Sequence, residues 1–212
     1  MFPALTLVNL GKKPYVDTWE AMKTFTENRD KSSNDEIWFV EHPSVYTLGR
    51  TGNSAQLPES LNIPLIHSDR GGQVTYHGPG QLVCYLLLDI RRLSLGVREL
   101  VTAIEETVIE LIGAHGVLGE SKAEAPGVYV DGKKIASLGL RVRRGASYHG
   151  LSLNVDMDLE PFMNINPCGF EGLEVVDLMS LGVSNSIAEI RNELADILIR
   201  KIGYSDINLR GK

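Results

Sequence analysis

The dipeptide Asp131-Gly132 constrains the fold of this chain more than any other short segment. It separates two apolar runs, residues 128–130 and 135–142, and Asp-Gly between such runs is the strongest local signal for a β-hairpin. A hairpin joins antiparallel strands, whereas a doubly wound parallel sheet is built from crossover connections. The hairpin, combined with helical patterns elsewhere, therefore predicts an α/β chain of the α+β kind.

Three helices and several further strands are predicted from the spacing of apolar residues. Tyr15, Trp19, Met22 and Phe25 recur at helical spacing, and a second apolar stripe runs from residue 97 to residue 112. A capping box at residues 186–189 begins a third helix. The predicted strands, besides the hairpin, are residues 5–10, 37–40, 45–48, 63–66, 81–90 and 148–155.

Composition and charge indicate a soluble cytoplasmic protein. The length of 212 residues and the 43% hydrophobic content suit one domain, residues 1–212, with a substantial core. The net charge of −6 argues against nucleic acid as a partner. No apolar run approaches the length that spans a membrane, and two cysteines are too few for a disulfide framework.

The segment from Arg70 to Gln81 is predicted to be a loop that holds a ligand. It contains four glycines, which let backbone approach a ligand closely, and the apolar run 82–88 that follows anchors it to a buried strand. It matches neither the Walker A pattern nor the dinucleotide fingerprint. This absence weighs modestly against a nucleotide cradle.

Cys168 and Lys134 are the candidates for covalent chemistry. Pro167 and Gly169 place Cys168 on an irregular loop, where a thiol is reachable, whereas Cys84 lies within an apolar strand and is expected to be a buried small hydrophobe. Lys134 enters an otherwise apolar strand. From these residues alone, Cys168 is either a nucleophile or an idle loop cysteine, and Lys134 is either paired with an anion or a solvated hairpin charge. The five histidines show no metal-ligand spacing, so no metal site is expected.

Four segments, taken together, resemble the lipoyl(octanoyl) transferase family. They are residues 70–81, 132–139, 148–154 and 166–169, which occur in the family's order with the cysteine last. The resemblance implies the fold of biotin/lipoate protein ligase catalytic domains, a mixed sheet flanked by helices. It also implies a catalytic dyad, which falls on Cys168 and Lys134.

The reaction that the resemblance implies moves an octanoyl group from octanoyl-acyl carrier protein to a lysine of a lipoyl domain, through a thioester on Cys168. The acceptors would be lipoyl domains of 2-oxoacid dehydrogenase complexes and the glycine cleavage H protein. Neither step needs ATP or another cofactor, and a monomer is expected. The alternatives are an ATP-dependent lipoate–protein ligase of the same fold and a non-catalytic acyl-carrier-binding protein.

The same resemblance implies which residues bind the acyl chain. One wall would come from the glycine-rich segment and the opposite walls from two short segments of the later strands. The predicted lining is Arg70, Gly71, Gly72, Gln73, Val74, Thr75, Tyr76, His77, Ser137, Leu138, Gly139, His149, Gly150, Leu151 and Ser152.

A basic cluster after Lys134 is a candidate docking surface for the acidic carrier protein. Arg141 and Arg143 alternate on one face of the predicted strand, and Arg144 follows. Because the chain as a whole is acidic, an acidic carrier would need such a local patch. A solvated strand end is the equally simple interpretation.

Overall fold

The computed structural model describes residues 4–53, 62–165 and 172–204, together with the backbone of residues 207–210. The helices are α1 (Tyr15–Asn28), α2 (Val97–Ala114) and α3 (Ile187–Ile202). The strands are β1 (Leu5–Lys12), β2 (Asp35–Glu41), β3 (Val45–Leu48), β4 (Leu65–His67), β5 (Val74–His77), β6 (Gln81–Leu87), β7 (Glu120–Ser121), β8 (Gly127–Val130), β9 (Lys133–Arg143), β10 (Ala146–Asn154) and β11 (Ile207–Arg210).

The central sheet is mixed and has helices on both faces, which confirms the predicted α+β class. Its strand order is β11-β1-β2-β6-β10-β9-β8-β7, with parallel pairs at the β11-β1-β2 end and antiparallel pairs from β2 onwards. A second sheet has the order β4-β3-β5. The antiparallel part brings β6, β10 and β9 side by side.

Strand β6 lies at the centre and is buried on both faces. Cys84 and Leu86 pack into the core that contains the apolar stripes of α2 and α3. Val83 and Tyr85 point the other way, into a cluster with Met22 of α1. The alternation follows from the period of two in a β-strand, and it defines an α1 face and an α2/α3 face of the sheet.

The predicted hairpin is confirmed as the β8–β9 connection. Val130 pairs with Lys133, and the two turn residues, Asp131 and Gly132, have φ values of 48° and 80°. Positive φ at both positions is characteristic of a type I′ turn, which matches the twist of the flanking strands.

The glycine-rich segment is not a continuous loop, contrary to the expectation from sequence. Its middle forms β5, which pairs with β3 in the second sheet. Val74 and Tyr76 face a small apolar cluster, so the segment alternates as a strand does, although glycines surround it. Two predicted strands also differ in extent. The strand predicted over residues 63–66 begins later, at Leu65, and the strand predicted over residues 81–90 ends earlier, at Leu87.

In the part of the chain that the structure describes, every helix is too short or too polar to cross a lipid bilayer.

Candidate functional site

A trough crosses three strands on the α1 face of the central sheet. Gly139 of β9 pairs with Gly150 of β10, which pairs with Tyr85 of β6. The adjacent row runs through Ser137, Ser152 and Val83 in the same way. Residues paired across strands share one face, so the four small residues of β9 and β10 leave open space above the sheet. Residues 137–139 of β9 and 150–152 of β10 are therefore neighbours by antiparallel pairing, and together they form the floor of the trough.

Arg70 holds the glycine-rich segment over this trough. Its buried guanidinium donates to the carbonyl oxygens of Thr47 at 2.6 Å, Gln73 at 2.7 Å and Gly71 at 2.9 Å. The amide of Gly71 in turn donates to the carbonyl of Leu140 in β9, at 3.0 Å. Arg70 therefore fixes the loop by its own hydrogen bonds, and the loop is fastened to the sheet.

The glycine-rich segment forms a roof over the trough, and most of the residues predicted to line an acyl cavity line the cavity between the two. Gly71 and Tyr76 are the exceptions, since Gly71 borders an adjoining cavity and Tyr76 packs against Tyr46 and Phe162. Three lining residues were not predicted: Tyr15, Val83 and Tyr85. The lining consists of Tyr15, Arg70, Gly72, Gln73, Val74, Thr75, His77, Val83, Tyr85, Ser137, Leu138, Gly139, His149, Gly150, Leu151 and Ser152.

The adjoining cavity leads from the trough towards Lys134. The two share Gly72, Gln73, Leu138 and Gly139 as lining residues. Its other walls include Val97 and Val101 of α2 and the segment Ala125-Pro126. The carbonyl of Pro126 accepts a hydrogen bond from Lys134 Nζ at 3.0 Å, so the lysine lies at this side of the cavity pair.

Lys134 is buried, with 1% of its surface exposed, and is not a solvated hairpin charge. A Cβ on Gly127 would lie 2.5 Å from Lys134 Cε, so a glycine is needed for the side chain to pass. Its neighbour Lys133 has the solvated role instead, since its side chain is 49% exposed and pairs with Glu174.

The backbone of Lys134 binds the chain that follows the segment 166–171. Its amide donates to the carbonyl of Glu174 at 2.9 Å, and its carbonyl accepts from the amide of Val176 at 3.0 Å. Cys168 itself lies outside the described residues. In the sequence it precedes Glu174 by six residues.

Cys84 is unsuited to nucleophilic chemistry. It is fully buried in β6, as predicted, and burial raises the pKa of its thiol far above the usual value. The thiolate is the nucleophilic form of cysteine, so a thiol held in its protonated form is inert.

The carboxylate of Asp69, which was not predicted from the sequence, binds three side chains, one of which, His149, lines the trough. Asp69 accepts hydrogen bonds from Trp19 Nε1 at 2.8 Å, from His149 Nε2 at 2.9 Å and from the Tyr148 hydroxyl. Burial disfavours its charge, but the bonds from His149 and Tyr148 outweigh burial and lower the pKa of Asp69 to about 2. The contacts join residues that are distant in sequence, so no local pattern predicts them.

His149 is held in an uncommon backbone conformation, with φ at 60°. This brings its ring against Tyr148, its neighbour in β10, with ring centroids 5.0 Å apart. Burial lowers the pKa of His149, opposed by the hydrogen bond to Asp69. The buried Nδ1 atom has no hydrogen-bond partner among the described residues. Such strained, incompletely paired residues are concentrated at functional sites.

The three arginines of the candidate docking surface have different surroundings. Arg143 is exposed and pairs with Glu27 of α1, which reduces its availability to an acidic partner. Arg141 is partly buried beside Tyr148. Burial and the hydrogen bond to Asp69 raise the pKa of the Tyr148 hydroxyl to about 12, and the contact with Arg141 opposes this rise. Arg144 is exposed at the β9–β10 turn, where its φ is 53°.

Two buried imidazoles beside the cavity are neutral at pH 7. Burial lowers the pKa of His42 to about 4 and that of His77 to about 3. The His42 ring is hydrogen-bonded to the Tyr85 hydroxyl and to the carbonyl of Lys13. The His77 ring is hydrogen-bonded to the side chain of Gln81.

Acid is therefore expected to destabilise the fold before the carboxylates are protonated. Since both folded-state pKa values lie below the ordinary 6.5, the unfolded chain binds more protons at low pH. The free energy of unfolding should be unaffected by these groups well above pH 6.5. It should fall as the pH drops below about 6.5, with a slope approaching about one proton per histidine, until the pH nears 3–4.

Urea denaturation across this pH range measures the slope. His42→Asn should reduce it, whereas His67→Asn, at an exposed position, should leave it close to that of the parent chain. Equal slopes for all three proteins would show that His42 does not carry this acid sensitivity.

Comparison of the whole sequence with known proteins identifies one family. The sequence model of the family described as "Lipoyl protein ligase A/B catalytic domain" matches residues 14–199. An octanoyltransferase of Pseudomonas entomophila (strain L48) is 54% identical over 97% of this chain and 96% of that protein. An octanoyltransferase of Cellvibrio japonicus (strain Ueda107) is 50% identical over 99% and 98%, respectively.

Solved structures share the fold at low sequence identity. A lipoate-protein ligase A bound with ATP has a TM-score of 0.75 and 17% identity, covering 100% of this chain and 89% of that one. A biotin protein ligase of Aquifex aeolicus, in complex with biotin and ATP, has a TM-score of 0.56 and 13% identity over 95% and 71%. The predicted resemblance to ligase catalytic domains is therefore confirmed for the fold.

Proposed function

Because the chain belongs to the lipoyl protein ligase A/B catalytic-domain family and is an octanoyltransferase of lipoate biosynthesis, we propose that it acts through a covalent octanoyl thioester on Cys168. The donor is octanoyl-acyl carrier protein, and the acceptor is a lysine of a lipoyl domain. Such domains occur in 2-oxoacid dehydrogenase complexes and in the glycine cleavage H protein. The enzyme works as a cytoplasmic monomer.

The observation that carries this proposal is the position of Lys134. Its side chain is buried and donates to the carbonyl of Pro126, which lines the adjoining cavity. Its backbone is hydrogen-bonded to Glu174 and Val176, which follow Cys168 closely in the sequence. A buried lysine beside a reactive thiol favours the thiolate, because opposite charges stabilise each other strongly where water is excluded. The acyl chain would lie in the trough, whose cavity adjoins the one that leads towards Lys134.

The first step exchanges one thioester for another. The Cys168 thiolate attacks the carbonyl carbon of the donor, the bond to the pantetheine sulfur breaks, and the released thiolate takes a proton from Lys134. Its Nζ already donates to Pro126, which orients the side chain. Because one thioester replaces another, no external energy source is required.

The second step forms an amide. The amine of the lipoyl-domain lysine attacks the acyl-enzyme, the Cys168 thiolate leaves, and Lys134 in its neutral form accepts the proton that the attacking amine loses. Lysine can hold and release this proton, whereas arginine does not release its proton in proteins. The amide is more stable than the thioester, so the overall transfer is downhill.

The acyl-binding residues follow from the cavity. We assign Gly72, Gln73 and Thr75 to the roof, and the four small residues of β9 and β10 to the floor. Arg70 acts by shaping the roof, given its three bonds to backbone carbonyls. Gly71 supports the roof from the adjoining cavity. Tyr76 is placed behind it, against Tyr46 and Phe162.

Transfer without ATP separates this function from its rivals. The purified chain, octanoyl-acyl carrier protein and an apo lipoyl domain should yield octanoylated lipoyl domain in the absence of nucleotide. Free octanoate with ATP and Mg²⁺ should yield none. The reverse result would identify an ATP-dependent ligase, and no product under either condition would leave a non-catalytic binder of acyl carriers.

A further inference from the structure

We propose that Tyr15 of α1, together with His77 and Tyr85, closes the far end of the acyl cavity and sets the longest acyl chain that the enzyme transfers. This inference rests on the proposed function, because it concerns the same cavity. It assigns a specificity role to Tyr15 and Tyr85, which lie outside the four segments that resemble the family.

The direction of the cavity follows from the order of the strands. Lys134 lies on β9 next to β8, and the cavity extends from β9 across β10 to β6. At the usual strand spacing, β6 is about 10 Å from β9. The reacting carbonyl belongs at the Lys134 side, so the methyl end of the chain points towards β6.

The floor rises along this direction. In one row the residues are Gly139, Gly150 and Tyr85, and in the adjacent row they are Ser137, Ser152 and Val83. Each row therefore has two small side chains followed by a larger one. A chain lying on the glycines and serines meets Val83 and the ring of Tyr85 where the floor ends.

Tyr15 and His77 complete the end wall from above. Their rings are stacked, with centroids 5.8 Å apart and planes 10° from parallel. Both residues line the cavity and are less than 10% exposed. Tyr15 comes from the first turn of α1 and His77 from the end of β5, so the wall joins the α1 face to the second sheet.

Hydrogen bonds fix the rings of the wall in place. The Tyr15 hydroxyl is 2.7 Å from Ser68 Oγ, and His77 Nδ1 is 2.7 Å from Gln81 Oε1. The Tyr85 hydroxyl is 2.7 Å from His42 Nε2. These polar atoms are engaged by protein partners, which leaves ring carbons as the surface suited to an alkyl chain. A wall held in this way does not yield readily to a longer chain.

Removal of the Tyr15 ring would extend the cavity. The ring lies 5.4 Å from the ring of His42 and 6.3 Å from that of Trp19, measured between centroids. A void left by the phenol would thus join the cavity to the space in front of these two residues. Large-to-small substitutions in packed interiors leave such voids because the surroundings relax only partly.

The test compares acyl carriers of different chain length. The ratio of kcat/KM for dodecanoyl-acyl carrier protein to that for octanoyl-acyl carrier protein is measured for the parent chain and for Tyr15→Ala. We expect this ratio to rise at least about 10-fold in the variant, since one misplaced methylene in a hydrophobic pocket already changes kcat/KM by ~10-fold or more. Tyr15→Leu, a milder change, should shift preference towards decanoyl chains.

Two controls isolate the effect of the ring. Tyr15→Phe keeps the ring and removes only the bond to Ser68, so it should retain the parent chain-length preference. Leu198→Ala removes a buried side chain of α3 on the opposite face of the sheet, outside the cavity, and it should also retain that preference. Thermal unfolding of each protein verifies that it is folded.

An unchanged ratio in folded Tyr15→Ala, or in folded Tyr15→Leu if the alanine variant does not fold, would overturn this proposal. A shift of the same size in Leu198→Ala would also overturn it, because the effect would then be a general loosening of the packing. These outcomes are distinct from a failure of the proposed function, in which the parent chain would transfer no octanoyl group from the carrier without ATP.

Discussion

Replacement of Lys134 by methionine is expected to lower kcat for octanoyl transfer by ~10³-fold, within the range of a positioned acid–base group. Methionine keeps an unbranched apolar side chain but has no ammonium to stabilise the Cys168 thiolate or to move protons. Lys134→Arg should also be severely impaired, because arginine keeps the charge but does not release a proton. The backbone of Gly127 lies close to the Lys134 side chain, so the bulkier arginine side chain would also have little room.

Steady-state kinetics on the carrier donor measure the Lys134 effect, and the pH dependence of Cys168 alkylation identifies its cause. In Lys134→Met the alkylation profile should shift to higher pH, since the thiolate loses its neighbouring cation. Lys133→Met is the matched control, at the exposed adjacent position, and should change kcat by less than about 2-fold, as is usual for surface positions. Near-normal kcat in folded Lys134→Met would exclude the proposed dyad.

Cys168→Ala is expected to abolish transfer, with a loss of ~10⁴-fold or more, as is found when the nucleophile of a covalent mechanism is removed. The substitution deletes the atom that carries the acyl group, so neither half of the reaction can proceed by the proposed route. Octanoyl transfer to an apo lipoyl domain, followed by mass spectrometry of the domain, measures the loss.

Cys84→Ala is the matched control for Cys168→Ala. It removes the buried thiol of β6, and its main expected effect is a loss of stability of about 1 kcal/mol from the small void. Transfer should persist at a temperature where the variant is folded. Activity that survives in Cys168→Ala would mean that the chain transfers octanoyl groups without this thiol.

The fold could be predicted largely from local patterns. Asp131-Gly132 determined the hairpin, and the capping box at Ser186 determined where α3 begins, since each depends on residues close together in the chain. Strand β5 was missed because its four residues lie among glycines that favour a loop. Its alternation of Val74 and Tyr76 with polar residues was the available signal.

The candidate site was predictable only in part, because its geometry depends on long-range register. The Ser-Leu-Gly and Gly-Leu-Ser segments were expected on two walls, but only antiparallel pairing places them in one floor. Asp69 and Tyr15 were missed because their contacts with His149 and His77 join separate elements. For Lys134, the sequence left open a solvated hairpin charge, and its burial excludes that interpretation.

A covalent octanoyl thioester on Cys168 can be detected by mass spectrometry during a single turnover. The enzyme is mixed with octanoyl-acyl carrier protein without acceptor and quenched in acid, and an apo lipoyl domain is added to a parallel sample. The intact protein should gain the mass of one octanoyl group, and digestion should locate this group on the peptide that contains Cys168 and not on the peptide that contains Cys84. The acceptor should remove this adduct as octanoylated lipoyl domain accumulates. Product that forms with no adduct on Cys168 at any quench time, or an adduct that the acceptor does not remove, would exclude the thioester as the intermediate.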